Sequence, residues 1–141
     1  LVHRAAEALG TEMAAVALLL EHEQVFVAAH GLPLGSGRRS VGICTHALRE
    51  PAKRLVIPDA KFDPRTMDSP LVLGPPFLRS YAGRPLCPLP GLAVGTLCVC
   101  GPQPRRFTRS ELGRLDVLAT EAVELLRREI LVRTGLTLKA H

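Results

Sequence analysis

Two apolar runs near the start of the chain predict a β-hairpin. Residues 13–20 (MAAVALLL) and 24–29 (QVFVAA) are almost continuously apolar, and the polar residues 21–23 separate them. Two such runs joined by a short polar turn are typical of paired antiparallel strands. Residues 54–57 (RLVI) form a shorter apolar segment and predict a third strand.

A second hairpin is predicted further along the chain. Residues 77–89 and 92–100 flank Pro90 and the glycine that follows it, a pair of residues typical of a tight turn. A turn centred there sets the register of the two strands and places Gly83 opposite Cys98.

Three segments predict helices. Residues 1–9 are consistent with the end of a helix that stops at Gly10, and residues 43–50 form a short helix that Pro51 closes. The longest predicted helix covers residues 109–133.

The start of the long helix is marked by a capping box. Thr108 is followed three residues later by Glu111, so that each side chain can satisfy a backbone N–H that the first turn leaves unpaired. Apolar residues then recur at a spacing of three and four, which predicts one broad buried stripe: Leu112, Leu115, Leu118, Ala119, Ala122, Leu125, Leu126 and Ile130.

Two segments are predicted to be irregular. Residues 31–40 (GLPLGSGRRS) contain three glycines and a proline and predict a loop. Residues 58–76 contain five prolines, so no long helix can form there. A segment of this length inside a compact domain usually covers a ligand or serves another function.

The order of these elements predicts an α+β fold. Strands come as hairpins and helices gather at the two ends, which favours an antiparallel sheet of five or six strands. We expect the terminal helices on one face of the sheet and residues 58–76 on the other. Residues 1–141 are expected to form one domain, cut from a longer protein.

Composition narrows the class of protein. Apolar residues make up 47% of the chain, which indicates a globular domain. The formal net charge is +5, but no aromatic residues interleave the basic ones as in a base-stacking platform, so we expect no nucleic-acid partner. The first residues lack the features of a signal peptide, and no apolar run is long enough for a membrane span. These features predict a cytoplasmic protein without membrane insertion.

The cysteines are expected to be packing residues. Cys98 and Cys100 are two apart on a strand, so their side chains share a face at roughly 6–7 Å. Cys87 lies about four residues from Cys98 along the sheet, roughly 13 Å away. Thiols that do not converge cannot hold zinc, which needs four ligands at about 2.3 Å. We therefore predict no disulfide, no metal and no cofactor, with redox sensitivity as the alternative.

Polar residues of the proline-rich segment and the strand after it are candidate ligand contacts. Asp59, Asp63 and Arg65 can line a pocket against the sheet, or the two carboxylates can accept backbone N–H bonds in tight turns while Arg65 bridges them. Arg79 and Tyr81 share one strand face and can hold an anionic ligand, or anchor one of the aspartates. The sequence leaves these alternatives open.

The short helix carries two further candidates. Cys44 lies near its start, where the partial positive charge of a helix N-terminus can lower the pKa of a thiol, and His46 is two residues away. The alternative is that Cys44 packs under the helix, while His46 caps it or faces solvent. The chain contains no nucleophile elbow, phosphate loop or paired histidine motif, so we predict that it has no catalytic residues and is not an enzyme.

Seven short motifs follow one another along the chain: Cys44-Thr45-His46, Pro58-Asp59, Asp63-Pro64-Arg65, Ser69 to Val72, Tyr81 to Leu86, Gly95 to Val99 and Pro104-Arg105. In this order and spacing they resemble the GAF domains of bacterial sensor histidine kinases and diguanylate cyclases, and the resemblance covers about residues 3 to 132. The chain departs from the usual pattern at Gly42, Ser80 and Gly101, where these domains commonly have Ser, Phe and Asp.

The resemblance implies a sensory or signal-relay module that binds an unidentified small molecule and is linked to an output domain. The alternatives are a ligand-free dimerising spacer and a cysteine-based redox sensor or reductase. The long helix is longer than the cover of a small sheet requires, so part of it is available to a second copy. We predict a homodimer through the terminal helices, with Leu118, Leu125 and Val132 as candidate contacts.

Overall fold

A computed structural model describes residues 1–19, 23–31, 35–38 and 43–134. Four helices and six strands follow one another along these residues: α1 (Val2–Leu9), β1 (Met13–Leu19), β2 (Glu23–His30), β3 (Gly35–Arg38), α2 (Ile43–Ala47), β4 (Leu55–Ile57), α3 (Pro70–Leu73), β5 (Ser80–Leu86), β6 (Gly95–Gly101) and α4 (Arg109–Thr134).

The six strands form one antiparallel sheet in the order β3-β2-β1-β6-β5-β4. The predicted α+β class and the antiparallel sheet are confirmed. The predicted register of the second hairpin is also confirmed, because Gly83 pairs with Cys98. The first and last strands along the chain lie side by side at the centre of the sheet. There β1 pairs with β6 from Met13↔Cys100 to Leu18↔Gly95.

The prediction of a loop throughout residues 31–40 is wrong. Residues Gly35–Arg38 form the edge strand β3, which pairs with β2 from Glu23↔Arg38 to Phe26↔Gly35. An edge strand needs only backbone hydrogen bonds to a neighbour, so a sequence rich in glycine and without an apolar pattern can still form one.

The terminal helices cover one face of the sheet, as predicted. Their buried side chains pack on residues of β1, β5 and β6 that point to that face. The members of this helix-side core are Ala5, Ala6, Leu9, Ala14, Val16, Ala82, Leu86, Leu97, Val99, Leu115, Leu118, Ala119 and Ala122.

The other face is covered by α2 and by residues 58–78, which we call the cover. Its position confirms the prediction made from the proline-rich segment. Alternate residues of the same strands contribute to this cover-side core, because successive side chains of a strand point to opposite faces. Its members are Met13, Ala15, Ala17, Ile43, Ala47, Leu55, Ile57, Ala60, Val72, Leu78, Tyr81, Cys98 and Cys100.

The ends of the terminal helices are fixed by local hydrogen bonds. α1 ends at Gly10, whose φ of 66° lies in the left-handed region that glycine adopts without strain. α4 begins with the predicted capping box: the Glu111 carboxylate accepts from the Thr108 N–H at 2.8 Å, and the Thr108 hydroxyl accepts from the Glu111 N–H at 3.1 Å. This bonding lowers the pKa of Glu111. No helix of the described residues is both long and apolar enough to cross a membrane.

Candidate functional site

Four small side chains form the cover-facing surface of the central strands beyond Met13. On β1 these are Ala15 and Ala17, and on β6 they are Cys98 and Cys100, all of them buried. The helix-facing residues of the same strands include larger ones such as Val99. The sheet therefore offers a shallow apolar floor beneath α2 and the cover.

Tyr81 lies along this floor. Its side chain is only 2% exposed, and its ring folds over Gly83, because a Cβ on Gly83 would lie 2.5 Å from the Tyr81 hydroxyl oxygen. Glycine two residues after the tyrosine is thus what makes room for the ring on the same face of β5. Tyr81 is therefore buried between the sheet and the cover.

A bidentate ion pair ties the cover to the start of β5. The guanidinium of Arg79 donates from Nε and Nη2 to the two carboxylate oxygens of Asp59, each at 2.7 Å. Asp59 also accepts from the Lys61 N–H at 3.2 Å, and the N–H of Ala60 bonds to the Arg79 carbonyl. The hydrogen bond from Arg79 is the main reason that the pKa of Asp59 is lowered.

Asp63 and Arg65 form a second, separate pair within the cover. The Asp63 carboxylate accepts from the Arg65 N–H at 2.9 Å and from its guanidinium at 3.0 and 2.8 Å, and these bonds lower the pKa of Asp63. The two aspartates accept backbone N–H bonds in tight turns, as the second alternative predicted. The accompanying expectation that Arg65 bridges both carboxylates is wrong, because the Asp59 carboxylate is paired with Arg79.

His46 projects from α2 toward the cover. Its ring nitrogen Nδ1 is buried and has no hydrogen-bond partner among the described residues. Burial is the main cause that lowers the pKa of His46, and the positive charges of Arg49 and Arg65 lower it further, while Asp63 acts in the opposite direction. A neutral imidazole on a helix that packs over the apolar floor is able to accept a hydrogen bond from a small molecule or donate one to it.

We expect the imidazole of His46 to titrate below about 6.5, the ordinary value for histidine. The unfolded chain then takes up this proton at a higher pH than the folded chain does. The contribution of His46 therefore lowers the free energy of unfolding as pH falls from about 6.5 to the folded pKa, and no further below it. NMR titration of the histidine Cε1 protons, assigned with His46→Asn, measures this pKa. A midpoint at or above 6.5 would contradict a neutral ring whose Nδ1 is buried.

The cysteines occupy separate environments. Cys98 and Cys100 are buried in the cover-side core, whereas Cys87 is half-buried beyond the end of β5, with its sulfur 3.9 Å from the Pro51 carbonyl oxygen. Cys44 lies on α2, and its side chain is outside the described residues. Within the described ranges no three histidine, cysteine or carboxylate side chains converge as metal ligands would.

We predict that thiol titration of the denatured, unreduced protein gives four free groups, and that elemental analysis finds no stoichiometric zinc. The geometry provides the reason, because Cys87 does not share the buried position of the β6 thiols. A count of two thiols, or one zinc per chain, would show that the cysteines do more than pack.

A shallow groove of about 440 Å³ lies on the outer side of the terminal helices. Val117, which is 70% exposed, forms its most accessible apolar side chain, and Gly113 keeps the helix surface low beside it. Leu118 forms part of the wall, but it is 9% exposed because it packs mainly on the sheet. Leu125 is 47% exposed, and the side chain of Val132 is outside the described residues.

Sequence reasoning missed two parts of these sites. Val117 was overlooked because it lies beside the apolar stripe and not on it. The small floor was overlooked because it depends on strand register: Ala15 and Ala17 are unremarkable in sequence, and only their pairing with Cys98 and Thr96 makes them neighbours across the sheet. The alternation of small residues on both strands is the signal that could have found it.

The protein is an α+β domain. Its six-stranded antiparallel sheet carries the terminal helices on one face and the irregular cover on the other. The family profile of the GAF domain matches residues 1–125. The chain therefore belongs to the GAF domain family, and the family predicted from the motifs is confirmed.

Similar proteins act in signalling and in catalysis. A cyclic di-GMP phosphodiesterase of Pseudomonas aeruginosa is 37% identical over 95 residues, which cover 67% of this chain but only 16% of that protein. A domain described as part of a two-component sensor histidine kinase from Sinorhizobium meliloti superposes with a TM-score of 0.70 at 21% identity, covering 96% of this chain and 92% of that one. A free methionine-R-sulfoxide reductase from Neisseria meningitidis superposes with a TM-score of 0.67 at 20% identity, covering 91% and 75%. The two structural likenesses show a shared fold.

Proposed function

We propose that this chain is a sensory GAF domain of a bacterial signalling protein. It binds a small molecule between the sheet and the cover and passes the signal to an output domain linked to it. The observation that carries the proposal is the buried, unpartnered Nδ1 of His46. His46 lies on α2, whose residues Ile43 and Ala47 pack in the same core as the floor of alanine and cysteine side chains. A buried polar atom without a partner costs free energy, which a ligand that bonds to it would recover.

The route from the ligand to the terminal helices runs through β5. Tyr81 faces the cover, whereas the next residue, Ala82, packs with Leu115 and Leu118 of α4 on the opposite face. Since neighbouring residues of one strand move together, a ligand that displaces Tyr81 also displaces Ala82, on which α4 packs. The ion pair between Asp59 and Arg79 fixes the cover at the start of the same strand.

The terminal helices also provide the proposed dimer contact. A second copy of this chain would bury the groove at Val117, with Leu118 forming part of the wall and Leu125 extending the exposed apolar surface. A two-fold axis along α4 would let a shift of one helix act on its partner, as the commonest symmetry of identical chains allows.

Native mass spectrometry of the protein purified without denaturation tests the ligand site. We expect one small molecule per chain, released on unfolding, in the wild type and in the control His3→Phe, whose substituted side chain is exposed. His46→Phe removes the ring nitrogens and is expected to lower occupancy about tenfold or more, the effect of one good hydrogen bond to a buried group. Equal occupancy in both variants would remove His46 from the site.

A cysteine-based reductase is the competing function, and the positions of the three described thiols argue against it. The two β6 cysteines are buried, and Cys87 is half-buried in a different environment. We predict that peroxide followed by intact-mass analysis under denaturing conditions gives the same mass as dithiothreitol treatment. A loss of two hydrogens that dithiothreitol restores would establish a redox-active thiol pair and favour the reductase.

A further inference from the structure

A cleft of about 310 Å³ opens on the helix side of the sheet, between α4 and the end of β5. Pro51, from the turn before β4, closes it at the sheet edge, and Pro85 and Cys87 line it from β5 and beyond. The sheet separates this cleft from the small-residue floor under the cover. The two sites therefore cannot be one pocket, and a molecule in the cleft would contact α4 directly.

Two arginines face one carboxylate at Asp116: Arg84, which lines the cleft, and Arg54, which lies beside it outside the lining. Leu55 pairs with Gly83, so Arg54 and Arg84 are the next cross-strand neighbours, a placement in which like charges repel. Their Nε atoms lie 3.7 and 3.9 Å from the same oxygen, Oδ1 of Asp116, which is buried and makes no hydrogen bond in the described structure. One carboxylate therefore faces two guanidinium groups, and neither reaches it closely.

Arg84 retains donors for a ligand. Its only hydrogen bond in the described structure runs from Nη1 to the Ala52 carbonyl at 3.2 Å. Arg127, at the other end of the cleft, is already engaged: its Nε donates to the Pro88 carbonyl at 2.8 Å and its Nη1 to Glu124 at 2.8 Å. An anion entering the cleft would therefore meet Arg84.

The rest of the cleft is suited to an organic group. Pro51, Pro85, Ala119 and Val123 supply apolar walls. The Thr120 hydroxyl already donates to the Asp116 carbonyl at 3.1 Å, so Arg84 is the donor that remains for an anion. A guanidinium group with free donors binds carboxylate and phosphate oxygens in a bidentate manner. A positive charge at one end and apolar walls beyond it suit a ligand that has an anionic head group and an apolar body.

We propose that this cleft binds a small organic oxyanion, with its carboxylate or phosphate on Arg84 and its apolar part against Pro85 and Val123. Such a ligand bridges β5 and α4 and so holds the long helix on the sheet. The inference does not depend on a ligand under the cover, because the cleft lies on the other face.

Backbone and arginine Nε NMR spectra, recorded with benzoate, phenyl phosphate or neutral benzyl alcohol at constant ionic strength, test this site. We expect saturable shifts at Arg84 and at residues 119–123 with one or both anions and none with the alcohol. The stronger of the two anions identifies carboxylate or phosphate as the head group. Arg84→Gln is expected to weaken binding about tenfold or more, the value of a charged hydrogen bond, whereas Arg128→Gln makes the same charge change at an exposed position of α4 and leaves binding unchanged.

Two results would overturn the proposal: no saturable shift with either anion, or equal affinity in the wild type and Arg84→Gln. Should Arg84→Gln lose its folded spectrum, Thr120→Glu places a carboxylate at the cleft from an exposed helix position and must weaken each anion that binds to the wild type. Unchanged affinity in Thr120→Glu would equally exclude the cleft.

Discussion

Gly95→Ala is expected to prevent stable folding of this domain. Gly95 pairs with Leu18 at the centre of the sheet, and a Cβ on it would lie 2.0 Å from the Ala17 carbonyl oxygen. The obstacle is backbone, which cannot rotate away as a flexible side chain can, so strands β1 and β6 must separate. We expect a loss of about 4 kcal/mol or more, a large part of the free energy of unfolding of an ordinary domain.

Urea unfolding followed by far-UV circular dichroism measures this loss, and Gly101→Ala is the matched control. Gly101 lies at the other end of the same strand, and a Cβ there would meet only the Ser80 hydroxyl oxygen, at 3.5 Å. We expect the control to change the free energy of unfolding by about 1 kcal/mol at most. A Gly95→Ala protein that unfolds at the wild-type urea concentration would show that β1 and β6 do not pair in this register.

Val117→Glu is expected to reduce self-association about a hundredfold or more. Val117 is the most exposed apolar side chain of the groove between the terminal helices, and a carboxylate there would have to be buried in the dimer without a partner. The folded monomer should be unaffected, because the residue points away from the sheet. Sedimentation equilibrium over micromolar concentrations gives the association constants of the wild type and the variant.

Thr120→Glu is the control for this experiment. Thr120 is an exposed residue on a different flank of α4, so the substitution adds the same charge outside the groove. Its association constant should equal that of the wild type. A single monomer mass for the wild type at every concentration would contradict the dimer. Leu125→Glu should then act on stability alone.

Local chemistry made much of the fold predictable from the sequence. The second hairpin could be placed in register because Pro90 and Gly91 fix its turn, and α4 could be started correctly because a capping box involves residues only three apart. The cover was predictable because proline excludes a long helix whatever surrounds it. In each case the physical cause lies within a few residues of its effect.

Pairs that depend on the folded chain were not predictable in the same way. Asp59 is bound by Arg79, twenty residues away, although Arg65 is much nearer in sequence. Edge strand β3 forms because β2 presents backbone N–H and C=O groups with which it can pair. The composition of β3 itself does not favour a strand. On α4, Glu124 pairs with Arg127 and not with Arg128, a choice between two adjacent arginines that the helix rotation decides.

Hydrogen–deuterium exchange, measured with and without a low-molecular-weight extract of bacterial cytosol, tests most directly whether this domain senses a small molecule and relays its binding. We predict slower exchange in Ile43–Ala47 and in the cover, accompanied by a change in α4, with both effects lost in His46→Phe. Exchange rates that stay the same in all these segments would contradict ligand binding. Protection of the cover without any change in α4 would contradict the relay.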